Sequence, residues 1–279
     1  MEQKEITIKG KKLAYRCKGE GAVVVLLHGF GEDGNVWQNQ YDAFPALKLI
    51  IPDLPGSGAS EIIDDMSMEG LAESIKALIE HETASLFFKE GEPHSVIMIG
   101  HSMGGYITLA FAEKYHHMLR GFGLFHSTAF ADSEEKKQIR QKGIKFIQSH
   151  GPFEFLKTSI PNLFSPVTKE KSAHLIEDQI SASHNFSAAA LVSYYVSMIN
   201  RPERTEILKQ THLPVLFVFG KYDTAVPLRE GLEQSYLPEL SYIHILNESG
   251  HMGMIEERVE ADSLLRNYIA SVTKTTQPE

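Results

Sequence analysis

Ser102, Asp223 and His251 are the residues whose types and surroundings point most directly to chemistry. A serine hydroxyl is a weak nucleophile at neutral pH. It needs a base within hydrogen-bond reach, and the base needs a third group to fix its tautomer and orientation. Ser102 sits in Gly100-His101-Ser102-Met103-Gly104-Gly105, after an apolar run over 95–99 and before the helix-like Tyr106-Ile107-Thr108-Leu109-Ala110-Phe111-Ala112. Small residues two before and two after a serine let a strand and a helix approach closely while the serine takes a strained conformation, the nucleophile elbow. The plainer alternative is a glycine-rich turn with a solvated serine; the strand-turn-helix setting favours the elbow. Asp223 follows the run Leu216-Phe217-Val218-Phe219, and His251 lies in the loop after Ile245-Leu246. An acid and a base therefore each stand just past a strand-like segment.

The elements that must position these residues are legible as apolar runs. Short alternating stretches at 5–8 and 13–17 predict an N-terminal hairpin. Near-continuous apolar runs at 22–27, 47–51, 95–99, 121–125, 215–219 and 242–246 predict strands buried on both faces, as in a parallel sheet covered by helices. Helical spacing appears over 71–79, 107–111 and 259–269. From Ala131 to Gln210 no buried strand is evident, and the pattern is helical with breaks at Gly151-Pro152, Pro161 and Pro166. That stretch is too long for a structureless loop. It predicts a helical cap over the carboxyl edge of the sheet, where ligands of open α/β sheets bind.

Composition narrows the partners. With 279 residues, 42% of them hydrophobic, the chain can bury a sizeable core. Its 27 basic and 36 acidic residues give a net charge of −9, and no Lys/Arg cluster interrupts that balance. Nucleic acid and anionic membrane surfaces are not expected partners. Met1-Glu2-Gln3-Lys4-Glu5 leads into no apolar segment of signal-peptide type, and the longest apolar runs are strand-sized, so a soluble cytoplasmic protein without a membrane span is expected. The single Cys17 offers neither an internal disulfide nor a Cys partner for a metal site.

Taken in order, His28-Gly29-Phe30-Gly31, Asp53-Leu54-Pro55-Gly56-Ser57-Gly58-Ala59-Ser60, Gly100 to Gly105, Gly220-Lys221-Tyr222-Asp223-Thr224-Ala225-Val226-Pro227 and Gly250-His251-Met252 resemble the α/β-hydrolase superfamily, in its cap-bearing, esterase-like form. The resemblance implies an α/β-hydrolase fold, a mostly parallel central sheet flanked by helices. Residues 1–130 and 211–279 would form the core and 131–210 the inserted helical cap. It implies a triad of Ser102, Asp223 and His251 in the chain order Ser, Asp, His. The backbone N–H groups of Met103, after the nucleophile, and of Phe30 would form the oxyanion hole. The implied reaction is hydrolysis of a small carboxylic ester, thioester or lactone through an acyl-enzyme on Ser102, with no metal or organic cofactor. By the same resemblance Asp53 fixes a turn, and His28 and His101 hold loops.

Alternatives remain open at this point. Asp132 is a reserve triad acid, since it too follows a strand. His126 follows a strand near the site but has no evident acid to orient it, which favours structural support over contact with substrate. Of the aromatic residues Phe153, Phe155, Phe164, Phe186, Tyr194 and Tyr195, roughly a third are expected to line the substrate cavity. Serine at the elbow argues against dehalogenase or epoxide hydrolase chemistry but leaves carbon–carbon bond hydrolases and cofactor-free haloperoxidases. A small-ligand sensor with an intact triad is a further class. Gly29-Phe30-Gly31-Glu32-Asp33-Gly34, with Asp53 downstream, also matches a dinucleotide-binding fingerprint. That would make an NAD(P)-dependent oxidoreductase, but Glu32 and Asp33 would crowd a pyrophosphate with like charge, and that reading leaves Ser102, Asp223 and His251 unexplained.

Overall fold

A computed structural model describes residues 1–44, 46–84 and 95–274. Eight strands form one sheet: β1 (Glu2–Ile8), β2 (Lys11–Lys18), β3 (Ala22–Leu27), β4 (Leu47–Pro52), β5 (Val96–His101), β6 (Leu119–Phe125), β7 (Val215–Gly220) and β8 (Ser241–Leu246), in the spatial order β1-β2-β4-β3-β5-β6-β7-β8. β2 pairs antiparallel with both β1 and β4; every other pairing is parallel. β1 and β2 are joined by Lys9 and Gly10, both at positive φ, a two-residue hairpin loop whose twist matches that of the strands. The central strands are apolar on both faces: Val24, Val25, Ile97, Ile99, Phe217 and Val218 are buried, whereas on the outer strand β8 Ile243 and Ile245 are exposed.

Helices α1 (Met68–Thr83), α2 (Met103–Tyr115), α9 (Leu228–Ser235), α10 (Gly253–Glu256) and α11 (Arg258–Lys274) accompany the sheet. Ser67 caps α1 by accepting from Gly70 N at 3.1 Å, and Leu71, Ile75, Leu78 and Ile79 of that helix are buried. Burying each such side chain is worth about 1.5–3 kcal/mol, which outweighs helix propensity in holding the layer together.

Between β6 and β7 there is no strand, only α3 (Glu134–His150), α4 (Pro152–Ser159), α5 (Pro166–Lys171), α6 (His174–Ala182), α7 (Ala188–Asn200) and α8 (Thr205–Gln210) with short 3-10 turns. Pro152 and Pro166 begin α4 and α5, so two of the apparent breaks are first-turn positions, where the missing N–H costs nothing. Ser133 and Ser165 cap α3 and α5. The segment is fastened to the sheet domain by Tyr194, whose hydroxyl donates to Pro55 O at 2.6 Å and lies 3.0 Å from Ser57 Oγ, and by Arg204, which bonds Glu113 at 2.9 Å and pairs with Glu69.

Candidate active site

Ser102 is the residue between β5 and α2, with φ 50 and ψ −115. A non-glycine residue there is strained, and the surrounding contacts hold it: Ser102 N donates to Phe125 O at 2.9 Å, and Ser102 O accepts from Gly105 N at 2.9 Å and Ser127 Oγ at 2.7 Å. Gly100 and Gly104 are required by close approach. A Cβ on Gly100 would run into the Gly104 carbonyl, and one on Gly104 would press on the Leu27 and His28 carbonyls at 2.7 Å.

Asp223 lies three residues past β7, where Lys221 N and Tyr222 N bond Leu246 O and Ser249 O, both at 2.9 Å, tying its loop to the end of β8. Its side chain is fully buried. Oδ1 accepts from Ala225 N and Val226 N, each at 2.9 Å, and Oδ2 accepts from His251 Nδ1 at 2.8 Å and His126 Nδ1 at 3.1 Å. Burial alone would raise the carboxyl pKa, but the charge of His251 and the bonds from both histidines hold it far below the usual carboxylate range. His251, between β8 and α10, is buried, yet Asp223 raises its pKa above the ordinary histidine value against the cost of burial.

His126 corrects the sequence reading, which gave it no acid. Burial pushes its pKa down to about 4, only partly offset by Asp223, so it is the neutral tautomer that donates from Nδ1. Its Nε2 is buried without a partner among the described residues and packed against Gly253, where a Cβ would strike it. The signal was in the pairing rather than the pattern: Phe125 registers with Val218 across β6 and β7, so the residue after β6 adjoins the loop after β7. The ligand atoms of His126, Asp223 and His251 lie within 4.8 Å of one another, as a metal site would require. The 2.8 Å separation of His251 Nδ1 from Asp223 is nevertheless shorter than the roughly 3.3 Å between ligands of a tetrahedral ion with bonds of about 2.0 Å. The cluster is a hydrogen-bonded unit.

A second buried chain runs behind the first. Glu32 Oε2 accepts from Gly29 N at 2.7 Å and lies 3.0 Å from His101 Nδ1, while His101 Nε2 lies 2.9 Å from His251 O. Glu32 thus turns onto its own loop and braces the backbone of His251 through His101, a link no spacing rule reveals. His28 donates from Nδ1 to Gly29 O at 2.8 Å and accepts from Leu54 N at 2.9 Å. Asp53 accepts from Arg16 Nη1 at 2.7 Å, Gly34 N at 2.9 Å and Ala59 N at 3.0 Å, so it fixes two loops at once. Asp132 pairs with Arg140 and Arg201 and makes no bond to either site histidine among the described residues. The glycine-rich loop after β3 leads into a 3-10 helix, Gly34–Gln40, rather than the α-helix a dinucleotide site needs.

Ser102 and His251 line one cavity of about 180 Å³, together with Phe30, Gly31 and Met252. Its other wall comes from the helices between β6 and β7, including Arg140, Leu156, Gln179 and Tyr195. Phe30 stacks on Tyr195 with ring centroids 4.3 Å apart. Met103 is not on the cavity wall; its side chain is in the core, and its N–H opens the first turn of α2, where no helical acceptor precedes it. Of the six aromatic residues singled out in 131–210, only Tyr195 lines the cavity, while Phe164, Phe186 and Tyr194 are buried in packing.

A model of the alpha/beta hydrolase family matches residues 24–261. The chain belongs to the α/β-hydrolase family. Its relatives mark it as a hydrolase: it is 27% identical to lipase 1 of Psychrobacter immobilis over 97% of this chain and 84% of that protein. It is 23% identical to a 2-hydroxy-6-oxo-2,4-heptadienoate hydrolase of Pseudomonas putida over 91% of each chain. Among solved structures, a thermophilic esterase from Thermogutta terrifontis, with malate bound, superposes with a TM-score of 0.88 at 26% identity, covering 98% of this chain and 99% of that one. No helix among the described residues is long and apolar enough to cross a membrane.

Proposed function

We propose that this chain is a serine esterase that cleaves small carboxylic esters through an acyl-enzyme on Ser102. The observation that carries the reading is the buried Asp223–His251 pair, 2.8 Å apart, whose histidine shares a cavity wall with the strained Ser102. His251 takes the Ser102 proton as the hydroxyl attacks the ester carbonyl and returns it to the leaving alcohol. Water then attacks the acyl-enzyme by the same relay. Asp223 keeps Nδ1 protonated, so that Nε2 is the basic nitrogen, and stabilises the imidazolium. The N–H groups of Met103 and Phe30 donate to the oxyanion. Helices α3 to α8 serve as the cap, and the small cavity they close supports short acyl groups: about 180 Å³ lies below the roughly 300–1,000 Å³ of typical small-molecule pockets.

A fluorophosphonate should label Ser102 stoichiometrically, and Ser102→Ala should abolish both labelling and turnover of short-chain chromogenic esters. Labelling at another serine with Ser102 untouched would overturn the assignment. Single-event labelling without multiple turnover on any ester would point to a ligand sensor instead.

A further inference from the structure

The cavity that Ser102 lines also carries a cation that the hydrolytic reading does not use. Arg140, on α3, presents one edge of its guanidinium to Asp132, with Nε 2.5 Å from Oδ2 and Nη2 3.2 Å from Oδ1. Its Nη1 has no hydrogen-bond partner among the described residues. Asp132 is shared with Arg201, whose Nη1 is 2.9 Å from Oδ1. Arg201 is buried, donates to Met198 O and Phe130 O at 2.8 and 3.0 Å, and covers the Tyr106 ring at 3.8 Å. Two guanidinium groups therefore face one carboxylate. Of the two, Arg140 is the one that lines the cavity holding Ser102, and its Nη1 faces that cavity's lining with no bond to Asp132.

The neighbours of Arg140 are equally unspent. Tyr106, Gln179 and Tyr195 line the same cavity, and none of their side-chain polar atoms has a hydrogen-bond partner among the described residues. Glu32, the acid on the cavity wall, is turned onto Gly29 N and His101. The Arg140 side chain is only 20% exposed, and a desolvated guanidinium with one edge unpaired is costly unless a ligand supplies an anion. A cation that shares its carboxylate with a second arginine, flanked by two free hydroxyls and an amide in a cavity that also holds Ser102, is a receptor for a small anion attached to the molecule being cleaved.

We infer that the substrate is an ester bearing a free carboxylate, which Arg140 Nη1 binds with help from Tyr106, Tyr195 and Gln179 while the ester carbonyl lies at Ser102. This deepens the esterase proposal and rests on it. Carboxylate on the acyl side, as in half-esters of dicarboxylic acids, and carboxylate on the alcohol side, as in acylated hydroxy acids, share this chemistry.

The experiment compares kcat/KM for monomethyl succinate, glutarate and adipate with that for the corresponding neutral dimethyl esters. A second arm compares butyrylated glycolate and lactate with their methyl esters. The expected result is a wild-type preference for the anionic member of at least one series by roughly 10- to 100-fold, the scale of a hydrogen bond to a charged group. Arg140→Met should collapse that ratio toward one, Arg140→Lys should restore part of it, and the arm that responds identifies the side carrying the carboxylate. A wild-type preference for the neutral esters in both series overturns the inference. So does an equal loss on both members in Arg140→Met, which would mean that the arginine only holds α3. Thermal stabilisation by glutarate at constant ionic strength, in Ser102→Ala with and without Arg140→Met, reads the anion site without turnover. Stabilisation lost with the second substitution supports the site, and stabilisation unaffected by it, or absent from both proteins, refutes it. Failure of the fluorophosphonate to label Ser102 would overturn the esterase reading instead, leaving the glutarate result to decide the anion site separately.

Discussion

Asp223 keeps its charge where burial would neutralise most carboxyls, because four donors converge on it: two backbone N–H groups on Oδ1 and two imidazoles on Oδ2. The backbone pair fixes the plane of the carboxylate, so Oδ2 is aimed before His251 is charged. Asp223→Asn keeps the shape but places either an oxygen or an amide NH₂ opposite His251 Nδ1; the latter forces the wrong tautomer. A loss in kcat of about 10⁴-fold is expected, by analogy with the same change in a serine protease triad, with Ser102 labelling slowed in parallel. Near-wild-type kcat would remove Asp223 from the mechanism. The same carboxylate raises the His251 pKa above about 6.5, and in the proposed mechanism it is neutral His251 that accepts the Ser102 proton. The pH profile of kcat/KM should therefore fall on the acid side with a midpoint above that value. A midpoint below 6, with chemistry limiting, would show that the base is not this coupled histidine.

At the scale of elements, the α3 to α8 segment is seamed to the loop after β4. Tyr194 is fully buried in α7, and its hydroxyl serves both Pro55 O and Ser57 Oγ. Tyr194→Phe leaves a buried carbonyl short of a donor, so a loss of about 1–3 kcal/mol is expected in urea denaturation. A change below a few tenths would mean that the hydroxyl is not an anchor. The sheet that carries this seam was legible because its strands are apolar on both faces and the intervening helices have periodic stripes, patterns set by burial alone. Ser102, Asp223 and His251 were legible as strand-end residues with glycine-rich surroundings. Partners chosen by proximity across distant loops were not. Glu32 meets His101, and His126 bonds Asp223, only because the parallel strand order brings those loop ends together. Arg140 was hidden for another reason: α3 reads Glu-Glu-Lys-Lys-Gln-Ile-Arg-Gln-Lys, a solvated charged helix, and its pairing with Asp132 depends on a turn eight residues earlier.

Over the whole molecule, the buried histidines make stability depend on pH in opposite senses. His251 has a raised pKa in the folded state, so its contribution is fully present below about 6.5 and is lost as pH rises through the folded value. His126 has a folded pKa of about 4, so between pH 6.5 and 4 the unfolded chain binds a proton that the folded chain refuses, and stability falls as pH falls through that window. His28, also shifted downward by burial, acts in the same sense as His126. Asp223, strongly depressed, loses its contribution only at pH values below the ordinary carboxylate range. From the size of the shift, His126 alone should remove on the order of 3 kcal/mol between pH 6.5 and 4. His126→Asn isolates this effect. The amide can donate to Asp223 Oδ2 as Nδ1–H does, and asparagine tolerates the positive φ of 49 at this position, but it does not titrate. Urea denaturation at pH 6.5, 5 and 4 should give His126→Asn a shallower loss of stability than the wild type, with the difference growing toward pH 4. Parallel curves for the two proteins would mean that His126 is protonated in the folded state and that its bond to Asp223 is an ion pair.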